Sequence, residues 1–315
     1  MNIPYGRQHI TEEDIQAVVT TLQSDYLTQG PKIAEFETAF AAYVGAKYAV
    51  AVANGTAALH LNALALGVQP GDRVITTPIT FAASANCIRY CGGEVVFADI
   101  DPETYLLDIN NVRALLEASP KGTYKGIVPV DFTGRAVDLE AFRKLADEYD
   151  LWLIQDSCHS PGGYFTDSSG TQQHCGNGNF ADLAIFSFHP VKHIASGEGG
   201  MITTNDATLY QKLLQLRTHG ITKNESQYTN SIAFAGGETG YPLWYMEMQE
   251  LGYNYRLTDF QAALGLSQLQ RADAGLVRRK EIAAYYAQAF KGHSFVKGQS
   301  DVVAGHAYHL YVLEV

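Results

Sequence analysis

The strongest constraint on the fold is an alternation of two periodicities between residues 48 and 216. Short apolar runs predict strands at 48–52, 73–76, 94–100, 126–132, 151–155, 183–188 and 201–204. Between and after them, helical patterns predict helices at 57–66, 82–90, 110–117, 139–149 and 207–216. Strand then helix, repeated, makes an α/β fold with a mostly parallel central sheet covered on both faces. Ligands of such sheets sit beyond the carboxyl ends of the strands. That draws attention to residues 54–56, 78–81, 131–135, 156–159 and 187–192.

Two helices precede the alternation. Thr11 is placed to cap the first, and Asp14, three residues on, echoes a capping box. The second starts at Pro31 and sets Ile33, Phe36, Phe40 and Tyr43 on one apolar face. After residue 204 the pattern breaks. Residues 223–250 have no period and read as a long functional or flexible loop. Helical patterns return at 258–270 and 276–290, and the final HAYHLYVLEV reads as a strand at the edge or in the middle of a sheet.

Composition narrows the function. The 315 residues carry 33 acidic and 22 basic side chains, a net charge of −11, which disfavours a nucleic-acid backbone or an anionic membrane as partner. No apolar run approaches the ~20 residues that span a bilayer. The opening MNIPYGRQHITEED turns acidic and lacks the apolar core of a secretory signal, so a cytoplasmic protein is expected. Cys87, Cys91, Cys158 and Cys175 lack zinc-site spacing and are too few for a disulfide scaffold, so no metal is expected.

Five stretches carry candidate chemistry. In FSFHPVKHIASGEGG, Lys192 follows a buried strand and precedes a glycine-rich loop. Burial lowers the pKa of an amine and suits it to Schiff-base chemistry with aldehydes such as pyridoxal phosphate. Taken alone, a surface lysine at a strand end is the commoner reading. In IQDSCHSPGG, Asp156 closes a strand, where a carboxylate can keep a pyridine nitrogen protonated or merely cap a turn. His159 beside it can orient that carboxylate or serve as a structural histidine. In VANGTAALHL a strand runs through Gly55 and Thr56 into a helix whose free N–H groups suit a phosphate, though ordinary capped turns look the same. Phe81 in TTPITFAASAN stands where a ring can stack on a planar cofactor or enter the core. Asn254 and Arg256 in LGYNYRLTDFQAALGLSQL can reach a phosphate or cap the next helix. Each signal is modest. Their order along one edge of one sheet is what gives them weight.

The succession GTAAL, TF, DSCHSPGG, SFHPVKHIASGEGG and GYNYRLTDFQAALGLSQL resembles the DegT/StrS sugar aminotransferases over nearly the whole chain. The resemblance implies the aspartate-aminotransferase fold (fold type I), with pyridoxal 5′-phosphate (PLP) as cofactor. Lys192 would hold the cofactor covalently and move its proton. Asp156 would pair with the pyridine nitrogen, with His159 beside it and Phe81 stacked on the ring. Gly55, Thr56 and Ser187 would bind the phosphate, and Asn254 would reach it from the neighbouring subunit of a homodimer. IPYGRQHITEEDI, LTQGP, WYMEMQELGYNYR and YHLY further resemble a subgroup of the pseudaminic acid pathway. That subgroup uses glutamate to aminate the C4 ketone of a UDP-linked 6-deoxy-4-keto sugar. Tyr5, Tyr26, Leu27, Thr28, His309 and Tyr311 match its sugar-nucleotide contacts. The resemblance sets residues 1–250 as an N-terminal segment plus a large cofactor domain. Residues 251–315 would begin a small C-terminal domain, which family members continue beyond HLY and this chain leaves incomplete. Competing expectations are an aminotransferase for another nucleotide sugar and a PLP-binding regulator without turnover. Sugar dehydratases of the same fold carry histidine in place of the lysine, and Lys192 argues against them.

Overall fold

The computed structural model describes residues 6–298 and 303–315. Its centre is a seven-stranded sheet. The strands are β1 (Tyr48–Val52), β2 (Arg73–Thr76), β3 (Glu94–Phe97), β4 (Tyr124–Val128), β5 (Trp152–Asp156), β6 (Leu183–Ser187) and β7 (Gly200–Thr204). They lie in the order β1-β7-β6-β5-β4-β2-β3, and β7 alone runs against its neighbours. Six carboxyl ends and the first residue of β7 therefore share one edge.

The helices are α1 (Glu12–Leu22), α2 (Pro31–Val44), α3 (Gly55–Ala65), α4 (Ala83–Tyr90), α5 (Ile109–Glu117), α6 (Leu139–Tyr149), α7 (Ala207–Arg217), α8 (Asp259–Leu269) and α9 (Ala272–Ala289). Helices α3, α4 and α7 cover one part of the core, α5 and α6 another, and α2 with α8 a third. Strand β1 shows how the sheet faces both ways. Val50 and Val52 enter the core of α3, whereas Ala49 and Ala51 enter that of α2.

The departures from expectation have local causes. The fourth strand ends at Val128 rather than residue 132, because Pro129 has no N–H to donate and Phe132–Gly134 forms a 3₁₀ turn. The third ends at Phe97 and not at 100, where Asp101 draws the N–H groups of Glu103 and Thr104 into a turn. The last helix starts at Ala272, four residues before the expected 276. The closing HAYHLY stretch is not a strand. Tyr308 has φ of +48°, which breaks an extended course, and among the described residues only Leu313–Glu314 of this stretch pairs, with Lys297–Gly298. The aperiodic stretch 223–250 folds round Glu247, whose carboxylate accepts from Thr229 N–H (2.7 Å), Asn230 N–H (2.9 Å) and the Tyr245 hydroxyl (2.8 Å).

Docking of α1 on α8 turns on one carboxylate. Asp14 is fully buried and accepts from Thr11 N–H (2.9 Å), Ser267 Oγ (2.7 Å), Gln268 Nε2 (2.8 Å) and Arg271 (2.5 Å). Burial pushes its pKa up, but these bonds and the Arg271 charge outweigh burial and hold it below the usual range. Asp14→Ala should cost about 3 kcal/mol in urea unfolding, because it strands buried donors and a guanidinium. A depressed folded pKa stabilises above the unfolded value of about 3.9. The difference between wild type and Asp14→Ala should therefore be full near neutrality and shrink as pH falls through the folded pKa.

Candidate active site

The phosphate-ready end is built by close approach. Val52 and Ser187 both pair with Gly200, bringing β1, β6 and β7 together. A Cβ on Gly200 would stand 2.6 Å from the Asn54 carbonyl, so only glycine lets the turn into α3 close on β7. Asn54 caps α3 by accepting from Ala57 N–H at 2.8 Å. The N–H groups of Gly55 and Thr56 precede the first helical bond and lie at the positive end of the dipole. A Cβ on Gly55 would meet the Ser187 Cβ at 3.0 Å. Gly55, Thr56 and Ser187 thus form one cradle.

Beside it stands Asp156, buried at the end of β5. Its carboxylate accepts from Ser84 Oγ at 2.7 Å and from Cys158 N–H at 3.1 Å. Thr80 Oγ1 lies 2.7 Å from Ser84 Oγ, extending the chain of hydroxyls. Phe81 takes a bond from Ser84 N–H to its carbonyl and leaves its ring 74 % exposed, at the site's rim and outside the core. Beneath the 157–160 loop, Asp131 is fully buried and accepts from Ser160 Oγ (2.6 Å), Gln155 Nε2 (2.8 Å), Ser157 Oγ (2.9 Å) and Val137 N–H (3.0 Å). Burial raises its pKa, and these bonds oppose the rise. Sequence reasoning assigned no role to Ser84 or Asp131. The spacing from Phe81 to Ser84, one helical turn, was the available signal for the first.

Lys192 is half-buried in a turn after β6, its N–H bonded to His189 O at 2.8 Å. Burial lowers the pKa of its amine, while Cys158 and Asp156 pull it back up. Three imidazoles gather near it: His193 is the next residue, and His159 and His309 cluster with it. The His159 and His309 rings are 4.3 Å apart between centroids, and His193 and His309 are 5.7 Å apart. Burial, then the charge of Lys192, brings His159 down to about 3. Burial, then Arg279, brings His193 to about 3, and burial pushes His309 lower still. All three are neutral at pH 7. Among the described residues, His159 Nδ1, His193 Nε2 and His309 Nδ1 are buried without a hydrogen-bond partner.

Other expected site residues lie elsewhere in this chain. Asn254 is exposed and pairs with Thr218. Tyr26, Leu27 and Thr28 are exposed, and Leu27 O accepts from Asp259 N–H at the start of α8. Tyr311 packs edge-on against Tyr286 of α9. Tyr5 lies outside the described residues. All four cysteines are free, and among the described residues no cluster of His, Cys, Asp and Glu could hold a metal. No helix among them is long and apolar enough to cross a membrane.

A cradle that a Cβ would fill, a buried strand-end carboxylate and a desolvated amine fit a phosphorylated pyridine aldehyde. Comparison with known proteins agrees. The chain is 41 % identical over 319 residues to the spore coat polysaccharide biosynthesis protein SpsC of Bacillus subtilis, covering 99 % of this chain and 76 % of that one. It is 38 % identical over 294 residues to the UDP-4-amino-4,6-dideoxy-N-acetyl-β-L-altrosamine transaminase of Campylobacter jejuni, covering 93 % and 71 %. Helicobacter pylori PseC, an aminotransferase of pseudaminic acid biosynthesis, superposes with a TM-score of 0.84 at 31 % identity, covering 99 % and 77 %. Spr1654 of Streptococcus pneumoniae, solved in a PLP form, superposes with a TM-score of 0.82 at 27 % identity, covering 100 % and 78 %. The matching family model spans residues 8–315. The fold is that of the PLP aminotransferases, and PLP is the cofactor. This chain belongs to the DegT/DnrJ/EryC1/StrS aminotransferase family and is a PLP-dependent sugar aminotransferase.

Proposed function

We propose that the enzyme moves the amino group of glutamate to the C4 ketone of a UDP-linked 6-deoxy-4-keto-N-acetyl hexose. The product would be UDP-4-amino-4,6-dideoxy-N-acetyl-β-L-altrosamine, on the way to pseudaminic acid. The observation that carries the chemistry is Lys192, a desolvated amine held beside buried Asp156. The likeness to the Campylobacter transaminase and to PseC supports the choice of sugar.

When bound, PLP supplies an aldehyde for the amino group and a ring that withdraws electrons from the reacting carbon. Lys192 holds it and moves the proton at that carbon, as base and then as acid. Asp156, fixed by Ser84, keeps the pyridine nitrogen protonated. Gly55, Thr56 and Ser187 would hold the phosphate, with Phe81 available to stack on the ring and His159 to lie beside it. Asn254, exposed here, reaches the phosphate of a second subunit in a cytoplasmic homodimer. Tyr5, Tyr26, Leu27, Thr28, His309 and Tyr311 contact the sugar nucleotide. Residues 251–315 start the smaller domain.

SpsC, at 41 % identity, favours a second reading with a different nucleotide sugar. The test is direct. Purified enzyme with PLP and glutamate is given UDP-linked 4-keto-6-deoxy sugars of both C5 configurations and a GDP-linked 4-keto-6-deoxy mannose. Amination of the L-altro precursor with at least a tenfold higher kcat/KM than the others supports the proposal. Preference for another sugar replaces the substrate and keeps the aminotransferase.

A further inference from the structure

Residues from the far end of the chain return to the neighbourhood of Lys192: the His309 ring centroid lies 5.7 Å from that of His193, the residue after Lys192. They are held there by a joint that uses two uncommon backbone conformations. Thr133 has φ of +63° and Tyr308 has φ of +48°, both in the left-handed region that β-branched and bulky residues rarely enter. Such conformations persist where the surroundings over-determine them. Here they do. Ala307 N–H bonds to Gly134 O at 2.7 Å and Leu310 N–H to Thr133 O at 3.1 Å. Thr133 Oγ1 lies 3.2 Å from His306 Nε2. Tyr164 N–H bonds to Gly305 O at 2.9 Å. Arg279 donates to the carbonyls of Tyr308 (3.2 Å) and His309 (3.4 Å). Gly134 is the tightest point: a Cβ there would stand 2.7 Å from His159 O, 2.9 Å from Tyr308 N and 3.0 Å from His309 N. The joint thus fixes the two loops that carry the neighbouring His159 and His309 rings.

We propose that the 305–310 segment, latched on the Thr133–Gly134 turn, is a positioning element that holds His309 as a wall beside Lys192 and keeps water from its nitrogen. Gly134 and Arg279 are the positioning residues, and neither needs to touch substrate. The proposal rests on the reading of Lys192 as the PLP-bearing lysine. The wall's effect is desolvation, which disfavours the cationic form of the Lys192 nitrogen. The titratable groups whose charges act on that nitrogen, or on which it acts, are Asp156 at the end of β5, Cys158 and His159 in the next loop, and His309 on the latched segment. His193 stands beside it in sequence, and Arg279 on α9 faces His193 and His309. An opened latch admits water, so the nitrogen gains affinity for a proton.

The experiment titrates the visible absorbance of the PLP-loaded enzyme with pH, with Lys192→Ala as the control for its origin. Gly134→Ala pries the loops apart, and Arg279→Met releases the two carbonyls without a backbone clash. Both should raise the titration midpoint by about one pH unit. His309→Phe keeps a ring of similar shape and should leave the midpoint where it is. Should Gly134→Ala fail to fold, Arg279→Met gives the reading by itself. Folded latch variants with the wild-type midpoint overturn the proposal. So does a His309→Phe midpoint that moves as far as theirs, since the nitrogen rather than the wall would then matter. Wild-type enzyme whose absorbance survives Lys192→Ala overturns the assignment of Lys192, and the latch with it.

Discussion

Lys192→Ala should lower amino transfer from glutamate by about a thousandfold or more, because proton transfer by a positioned side chain alone contributes up to about 10⁴-fold. The same variant should lose the visible absorbance of the PLP-loaded enzyme and release no 2-oxoglutarate from glutamate. Stability should hold. The Lys192 amine is desolvated enough to lower its pKa, and its removal relieves that cost without stranding a partner. Thermal unfolding within a degree or two of wild type, together with abolished turnover, is the expected pair of results. A variant that keeps both absorbance and turnover would place the chemistry on another residue.

Asp156→Asn should reduce kcat by about 100- to 1000-fold, the range for losing one preorganised electrostatic partner in a site closed to water. The amide has the shape of the carboxylate: its oxygen can still accept from Cys158 N–H, and its NH2 can donate to the Ser84 hydroxyl in place of the bond it received. What it lacks is the charge that keeps the pyridine nitrogen protonated. PLP should therefore still bind, with the loss appearing in kcat and with unchanged cofactor content by absorbance. Ser84→Ala should move kcat in the same direction by about tenfold, since a hydrogen bond to a charged group is worth about 1.5–3 kcal/mol. Full activity in Asp156→Asn would separate Asp156 from the cofactor's electronics.

Much of the scaffold was legible because it depends on short-range pattern. The runs YAVAV, RVIT and LAIFS form β1, β2 and β6, and a strand buried on both faces must be apolar along its length. Helix α6 was bounded correctly at both ends. Its apolar residues Leu139, Phe142, Leu145 and Ala146 recur at helical spacing after a capping aspartate. The seven strands expected from these runs are the seven of the central sheet. Legibility failed where a residue's conformation answers to a distant partner. HAYHLY has strand-like composition, but its carbonyls and amides are claimed by Thr133, Gly134 and Arg279, more than a hundred residues away or on another helix. Residues 223–250 organise round Glu247, whose partners Thr229 and Asn230 lie 18 and 17 residues before it, beyond any local period.

The candidate site divides in the same way. Sequence alone determined that Gly55, Phe81, Asp156, Ser187 and Lys192 belong to strand ends, because the period of each strand and the side of each following helix are local properties. The expected roles of these residues toward a phosphorylated aldehyde cofactor came from the family resemblance, since each residue by itself also had an ordinary structural reading. Only the tertiary structure decided that Ser84 tethers Asp156, that Asp131 ties down the loop of His159, and that His309 returns to lie against His159. It also showed Asn254 and the 26–28 stretch exposed and fastened elsewhere in the chain. The reason is physical. A strand end is set by residues a few positions away, whereas the pKa of an amine and the aim of a carboxylate depend on which side chains the fold brings within hydrogen-bond reach. No pattern along one dimension contains that distance.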